Sequence, residues 1–362
     1  MAILLLVLGG VLLMGGAEFL VRGASKLAVS AGLSPLVIGL TVVAYGTSMP
    51  ETAVSVVSAY KGSSELALAN VLGSNVCNVL LVLGASALIA PLIVSEQLIR
   101  LDVPVMIGIT ILAYLLCADG TLGFGDGLLL FTGSIVYTVF IVRKSRRENR
   151  NASETSEVSL ETESEVSGKS TMAGDFGLIA IGLVLLVAGS NWFIEGAIEI
   201  ARLIGVSELV IGLTIVALGT SLPEVATSIM ASIRGERDIA VGNVVGSNIF
   251  NILCVLGLTG IVAPNGISVP SAALGFDFPV ALAVAVSCLP IFFTGYVIAR
   301  WEGFIFLGYY VAYVVYLFLA ATEHDALPIF SMTMAWFVMP ITVITLVVVL
   351  VRYLQQNPRA AS

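Results

Sequence analysis

Charge is what this sequence lacks most. Only 11% of its 362 residues are Asp, Glu, Lys or Arg, while 58% are hydrophobic. A soluble domain of this length needs more charge to cover its surface, so the composition excludes that class and points to a bilayer. Histidine is nearly absent. The one present, His324, lies in a polar stretch between apolar runs, which excludes a histidine-based metal or catalytic centre. The four cysteines, Cys77, Cys117, Cys254 and Cys288, fall in apolar segments without a CxxC pair and read as small buried hydrophobes. There is no GxxxxGKS or GxxxxGKT loop, so direct ATP drive is not expected, and neither nucleotide nor nucleic acid is an expected partner. The N-terminus, MAILLLVLGG, has no basic segment before its apolar run and reads as a first span rather than a cleaved signal.

Long apolar runs are abundant. A helix needs about 20 apolar residues to cross the hydrocarbon core. Eleven segments are expected to span: 2–21, 34–59, 64–90, 101–118, 126–143, 174–194, 206–233, 239–263, 277–299, 303–322 and 329–351. The fold class expected is an all-α membrane protein. It has a ten-helix core of two five-helix units, 1–143 and 174–322, and an extra helix and tail over 323–362. The segment 144–173 is Ser/Glu-rich and lacks aromatics, so it is expected to be a disordered acidic linker. Six glutamates there account for much of the net charge of −8, which therefore says little about partners.

The strongest signal is an internal repeat. Residues 36–51, LVIGLTVVAYGTSMPE, and 209–224, LVIGLTIVALGTSLPE, are identical at thirteen of sixteen positions, at an offset of 173. The same offset aligns NVLGSNVCNVLLVLG (70–84) with NVVGSNIFNILCVLG (243–257), identical at ten of fifteen. Five spans per copy mean that the second copy enters from the opposite side. The positive-inside rule tests this separately. With the N-terminus outside, fourteen Lys and Arg residues fall on the cytoplasmic side, and only Lys61 and Arg202 fall outside. Arg22 and Lys26 of the first copy become Glu195 and Glu199 in the second, as expected if those loops face opposite compartments. Inverted repeats of this kind are common in secondary transporters. The linker and C-terminus are then cytoplasmic.

Glu51 and Glu224 lie deep in apolar segments at equivalent positions. A carboxylate at the bilayer centre costs roughly 2.5–3.5 kcal/mol or more, so such residues face a polar cavity or hold an ion. Within a turn of them lie Thr47, Ser48, Thr220 and Ser221. Gly46 and Gly219 let the backbone unwind, and Pro50 and Pro223 remove amide donors, so the carbonyls of Ala44 and Ala217 are expected to be freed toward a cation. In GSN-x-x-N, Ser74 with Asn78, and Ser247 with Asn251, share one helix face. Asn75 and Asn248 lie off it and are expected to brace neighbouring helices, while Asn70 and Asn243 cap or pack. Asp102 and Asp277, ahead of Pro104 and Pro279, read as helix-start residues. Carboxylate, hydroxyl, amide and carbonyl oxygens suit hard cations such as Ca²⁺ and Na⁺ and disfavour zinc or copper.

GTSMPE with GSNVCN, and GTSLPE with GSNIFN, closely resemble the α-repeats of the calcium/cation antiporter superfamily, and most of all its prokaryotic sodium/calcium exchanger branch. The resemblance implies a non-enzymatic, cofactor-free exchanger of Na⁺ for Ca²⁺ in a prokaryotic inner membrane, working as a monomer. Glu51 and Glu224 would be the main ligands. Thr47, Ser48, Ser74, Thr220, Ser221 and Ser247 would add hydroxyls, Ala44 and Ala217 carbonyls, and Asn78 and Asn251 would complete the cluster. Spans one and six would slide across this core. Asn251 stands where some relatives carry an acidic residue linked to K⁺ use, which argues against potassium dependence. H⁺/Ca²⁺ exchange through the same glutamates and a passive cation channel are the alternatives.

Overall fold

The computed structural model describes residues 1–156 and 172–356. The chain is helical almost throughout: α1 Ala2–Ala31, α2 Pro35–Thr47, α3 Met49–Tyr60, α4 Ser64–Ile89, α5 Leu98–Leu116, α6 Phe124–Ser156, α7 Met172–Leu203, α8 208–219, α9 Leu222–Arg234, α10 Arg237–Val262, α11 Ala273–Phe293, α12 Arg300–Ala321 and α13 Leu327–Gln355. Among the described residues, nine of these helices are long and apolar enough to cross a membrane. The other four form two consecutive pairs, α2–α3 and α8–α9, each interrupted at its motif.

The interruptions follow from the sequence. Ser48 has φ −85° and ψ 13°, and its counterpart Ser221 has φ −87° and ψ 3°, so the two halves break in the same bridge conformation. Pro50 and Pro223 occupy the first turn of the helix that restarts, where a missing amide costs nothing. Six π-helical stretches also come in pairs: Gly39–Val43 with Gly212–Val216, Asn78–Leu83 with Asn251–Leu256, and Leu98–Asp102 with Ala273–Asp277. Such turns concentrate at functional sites and re-aim side chains without ending a helix.

α4 and α10 form the centre. Their apolar windows are 72% and 89% buried, against 28% for α1 and α7, so the second motif of each half lies in the most enclosed part of the bundle. The amide of Asn75 donates to the carbonyl of Asn248 (3.3 Å), and that of Asn248 to the carbonyl of Asn75 (3.2 Å). Two short ladders repeat this reciprocity. Leu92–Ile93 pairs antiparallel with Val297–Ile298, and Thr121–Leu122 with Ile267–Ser268.

On the flank, α1 and α7 pack antiparallel through glycines. A Cβ added to Gly16 would lie 2.8 Å from the carbonyl oxygen of Gly182, and one added to Gly189 would lie 2.9 Å from that of Gly9. At the ends, Gly196 meets Ala2 and Leu6, and Gly23 meets Leu178 and Ile179. Index rises along one helix as it falls along the other. Backbones in this contact touch, as small residues allow in membranes.

Three expectations are corrected. α6 does not give way to a disordered linker at 144 but continues to Ser156. Lys144 pairs with Glu148 one turn on, Ser145 Oγ accepts the amide of Ser34, and Asn149 donates to the carbonyl of Gly32. These tertiary bonds hold a helix that composition alone does not favour. The rest of the predicted linker up to 171, and the last six residues of the tail, lie outside the described residues. Asp102 does not start a helix. The π-turn begins at Leu98, so Asp102 falls inside, fully buried, accepting from Tyr137 Oη (2.9 Å) and Gln97 Nε2 (3.1 Å). Asp277 likewise lies inside a helix that begins at Ala273.

Adjacent glycines test the α1–α7 seam. A Cβ on Gly15 meets nothing within 4 Å, whereas one on Gly16 clashes with α7. Gly16→Leu should destabilise by about 1–3 kcal/mol, read as a lower thermal midpoint in detergent, and Gly15→Leu should not. Equal midpoints would contradict the packing described.

Candidate functional site

The two helix breaks face each other, and each half holds the carboxylate of the other. Ser48 Oγ donates to Glu224 Oε1 (2.8 Å), and Ser221 Oγ donates to Glu51 Oε1 (3.3 Å). Ser221 Oγ also lies 3.3 Å from Ser74 Oγ, which brings α4 into the cluster, and Ser247 Oγ reaches the carbonyl of Ala44 (3.5 Å), which brings in α10. Glu51 and Glu224 are each 1% exposed. Among the described residues no Lys or Arg pairs with either.

A shell of amides holds this centre. Thr47 Oγ1 donates to Asn243 Oδ1 (3.1 Å), and Asn243 Nδ2 donates to Ser228 Oγ (2.9 Å). In the other half Thr220 Oγ1 lies 3.4 Å from Asn70 Oδ1, and Asn70 Nδ2 donates to Ser55 Oγ (3.0 Å) and to the carbonyl of Glu51 (3.3 Å). Asn78 Nδ2 donates to Asn248 Oδ1 (3.1 Å), and Asn251 Nδ2 to Asn75 Oδ1 (3.0 Å). Both amides therefore spend their donors on asparagines of the opposite half and leave their own carbonyl oxygens without a donor.

Buried acceptors normally have donors. Here Glu51 Oε2, Glu224 Oε2, Asn78 Oδ1 and Asn251 Oδ1 are buried without one. These are two carboxylate and two amide oxygens, related in pairs by the repeat. Oxygen ligands of this kind fit Na⁺ or Ca²⁺. Among the described residues no three His, Cys, Asp or Glu cluster together, so the soft-metal pattern is absent there.

Of the residues singled out from sequence, Glu51, Glu224, Ser48, Ser221 and Ser74 are brought together at this centre, while Asn78 and Asn251 lie buried one turn beyond Ser74 and Ser247 and bond to Asn248 and Asn75. Thr47, Thr220 and Ser247 adjoin it through the bonds given. The carbonyl of Ala44 is not freed by the break: it still accepts the amide of Ser48 (3.1 Å). In the second half the amide of Ser221 turns instead to Leu218 (3.1 Å), away from Ala217. Sequence reasoning gave Asn70 and Asn243 only a capping or packing role and passed over Ser55 and Ser228. The signal was available, since all four are identical between the two copies.

The sequence profile described as "Sodium/calcium exchanger protein" matches residues 1–143 and 175–319. The chain is 40% identical to the putative antiporter CaxA of Alkalimonas amylolytica, over 80% of this chain and 88% of that protein. It is 34% identical to the sodium/calcium exchanger MaX1 of Methanosarcina acetivorans, over 87% and 98%. Among solved structures, the sodium-calcium exchanger NCX_Mj superposes with a TM-score of 0.71 at 30% identity, covering 87% of this chain and 98% of that one.

Residues that aim metal ligands typically contribute 10–100-fold to affinity. Asn70→Ala and Asn243→Ala should each weaken Ca²⁺ binding by the purified protein by roughly tenfold. An unchanged binding constant in both would contradict the role given to the amide shell.

Proposed function

The chain belongs to the sodium/calcium exchanger protein family, and from that premise we propose that it exchanges Na⁺ for Ca²⁺ across a prokaryotic inner membrane by alternating access. The observation that carries this reading is the set of four buried donorless oxygens, two on the carboxylates of Glu51 and Glu224 and two on the amides of Asn78 and Asn251. Glu51 and Glu224 supply a charge of −2 when ionised. One Ca²⁺ neutralises it, and so does a set of Na⁺ ions, so the two compete for the same charge. An empty pair of carboxylates at this depth is costly. The protein therefore switches sides only when loaded, and this couples the fluxes. Asn78 and Asn251 add neutral oxygens, and the hydroxyls of Thr47, Ser48, Ser74, Thr220, Ser221 and Ser247 and the carbonyl of Ala217 complete the ligand set; the carbonyl of Ala44, which still accepts the amide of Ser48, does not join it in this state.

The difference between the halves supports alternating access. On one side α2 is pressed against α10: a Cβ on Gly246 would lie 2.5 Å from the carbonyl oxygen of Leu40, and one on Gly39 would lie 3.0 Å from that of Ile239. At the equivalent seam between α8 and α4, the counterparts Gly73 and Gly212 meet nothing within 4 Å. Ala44 is buried, whereas its counterpart Ala217 is exposed. The shut seam is on the side of Arg234, which donates to Glu18 of α1. Its counterparts, Lys61 and Asn191, cannot form an ion pair.

Loop contacts support the orientation inferred from charge. Ser25 with Glu236 (2.8 Å) and Arg300 with the carbonyl of Ile89 (3.3 Å) join loops assigned to the cytoplasm, and Ser268 with Ser64 (3.1 Å) joins loops assigned outside. On that assignment the state described is open outward and shut inward. The antiparallel α1–α7 pair, smooth with glycine, supports the reading of two oppositely oriented halves and of a unit that slides over the core.

In reconstituted vesicles, a Na⁺ gradient without a pH gradient should drive uphill ⁴⁵Ca²⁺ uptake, and Glu51→Gln and Glu224→Gln should abolish it in correctly inserted protein. Uptake driven by a pH gradient alone would assign the protein to H⁺/Ca²⁺ exchange instead. Ca²⁺ equilibration that is never uphill would make it a channel.

A further inference from the structure

Six buried side-chain polar atoms lack a hydrogen-bond partner among the described residues. Four are the oxygens of the centre. The other two are Thr227 Oγ1 and Ser86 Oγ, each on a side chain 0% exposed and neither in a GTS-x-PE or GSN-x-x-N motif. A hydroxyl buried in a helix has an easy alternative, the carbonyl four residues back. Thr41, Thr110, Thr138, Ser232 and Thr259 all take it here, at 2.6–2.8 Å. Thr227 and Ser86 do not, and each forfeits the hydrogen bond that burial normally requires.

Their position is one-sided. Thr227 lies one turn beyond Glu224 on α9, and Ser86 lies two turns beyond Asn78 on α4. These segments pack against each other. Both are displaced from the centre toward the ends marked by Arg234 and Ile89, the side shut in this structure. The equivalent positions in the other half provide nothing comparable. Thr227 corresponds to Val54, and Ser86 corresponds to Thr259, whose hydroxyl is spent on the carbonyl of Val255.

We propose that Thr227 and Ser86 are cation ligands of the inner passage, replacing hydration water as Ca²⁺ or Na⁺ moves between the Glu51–Glu224 centre and the cytoplasm. The proposal rests on the exchange reading. Neutral hydroxyls suit such a step, because conduction needs sites favourable enough to enter and weak enough to leave. The two hydroxyls have no partner in this structure because the passage that they line is closed. The outer passage, with Val54 and a satisfied Thr259, has no matching step, so the two faces should differ in how they take up ions.

The test is Ca²⁺ uptake from each face, measured in right-side-out and inside-out vesicles. Thr227→Val copies the residue of the other half, and Ser86→Ala removes the second hydroxyl. Each should raise the half-saturating Ca²⁺ at the cytoplasmic face by roughly fivefold, the size expected for one lost oxygen contact, and leave the outer face unchanged. Thr227→Ser should keep the wild-type value. Thermal midpoints should not fall in Thr227→Val, since no hydrogen bond is lost. Equal changes at both faces, or none at either, would overturn the proposal. Wild-type vesicles without Na⁺-driven uptake would overturn the exchange reading itself, and this proposal with it.

Discussion

Two carboxylates buried within a bilayer-spanning bundle, with no basic residue among the described ones paired to either, are the constraint on which the rest of this molecule depends. Burying one uncompensated charge is costly, and burying two of the same sign side by side is worse. The surrounding structure answers that cost without supplying a protein cation. Serines from the opposite half donate to one oxygen of each glutamate, and Asn78 and Asn251 donate to asparagines of the opposite half, leaving their own carbonyl oxygens free of donors. What remains is a cluster of buried acceptors, four of them without a donor among the described residues. On the proposed reading a mobile cation completes their balance, and the fold and the transport site are the same arrangement.

The repeat explains how one chain builds such a centre. Each half alone supplies one glutamate and the donors for the other's. The bonds therefore come as reciprocal pairs, down to the amides of Asn75 and Asn248. Where the pairs fail to match, the mismatch carries the functional information. The seam at Gly39 and Gly246 is tight, and the equivalent one at Gly212 and Gly73 is open. Packed helices have discrete arrangements rather than a continuum, which is what a two-state carrier needs. The Glu18–Arg234 pair, which the other half lacks, and the unpartnered hydroxyls of Thr227 and Ser86 lie on the same side as the tight seam.

Much of this was legible in the sequence. Pro50 and Pro223, with glycines four residues earlier, announce the two breaks because ring closure and a missing side chain act locally. Glu51 and Glu224 stand out because charge in an apolar run has few innocent explanations. Identity between the copies marked the remaining polar groups. The parts that could not be read were set by tertiary partners. Asp102 looked like a helix start because Pro104 follows, but a π-turn that no local rule signals moves the start back to Leu98. The helical continuation to Ser156 depends on bonds to Ser34 and Gly32, more than a hundred residues away. The roles of Asn70 and Asn243 depended on which threonine of the opposite half would come into reach.

The most direct measurement of the central claim is the position of a bound ion. A structure determined with Ca²⁺ should hold one ion at about 2.3–2.6 Å from an oxygen of both Glu51 and Glu224, the usual Ca²⁺–oxygen range. High Na⁺ should remove it. A Ca²⁺ bound elsewhere, with the two carboxylates still engaged only by Ser48 and Ser221, would contradict the account.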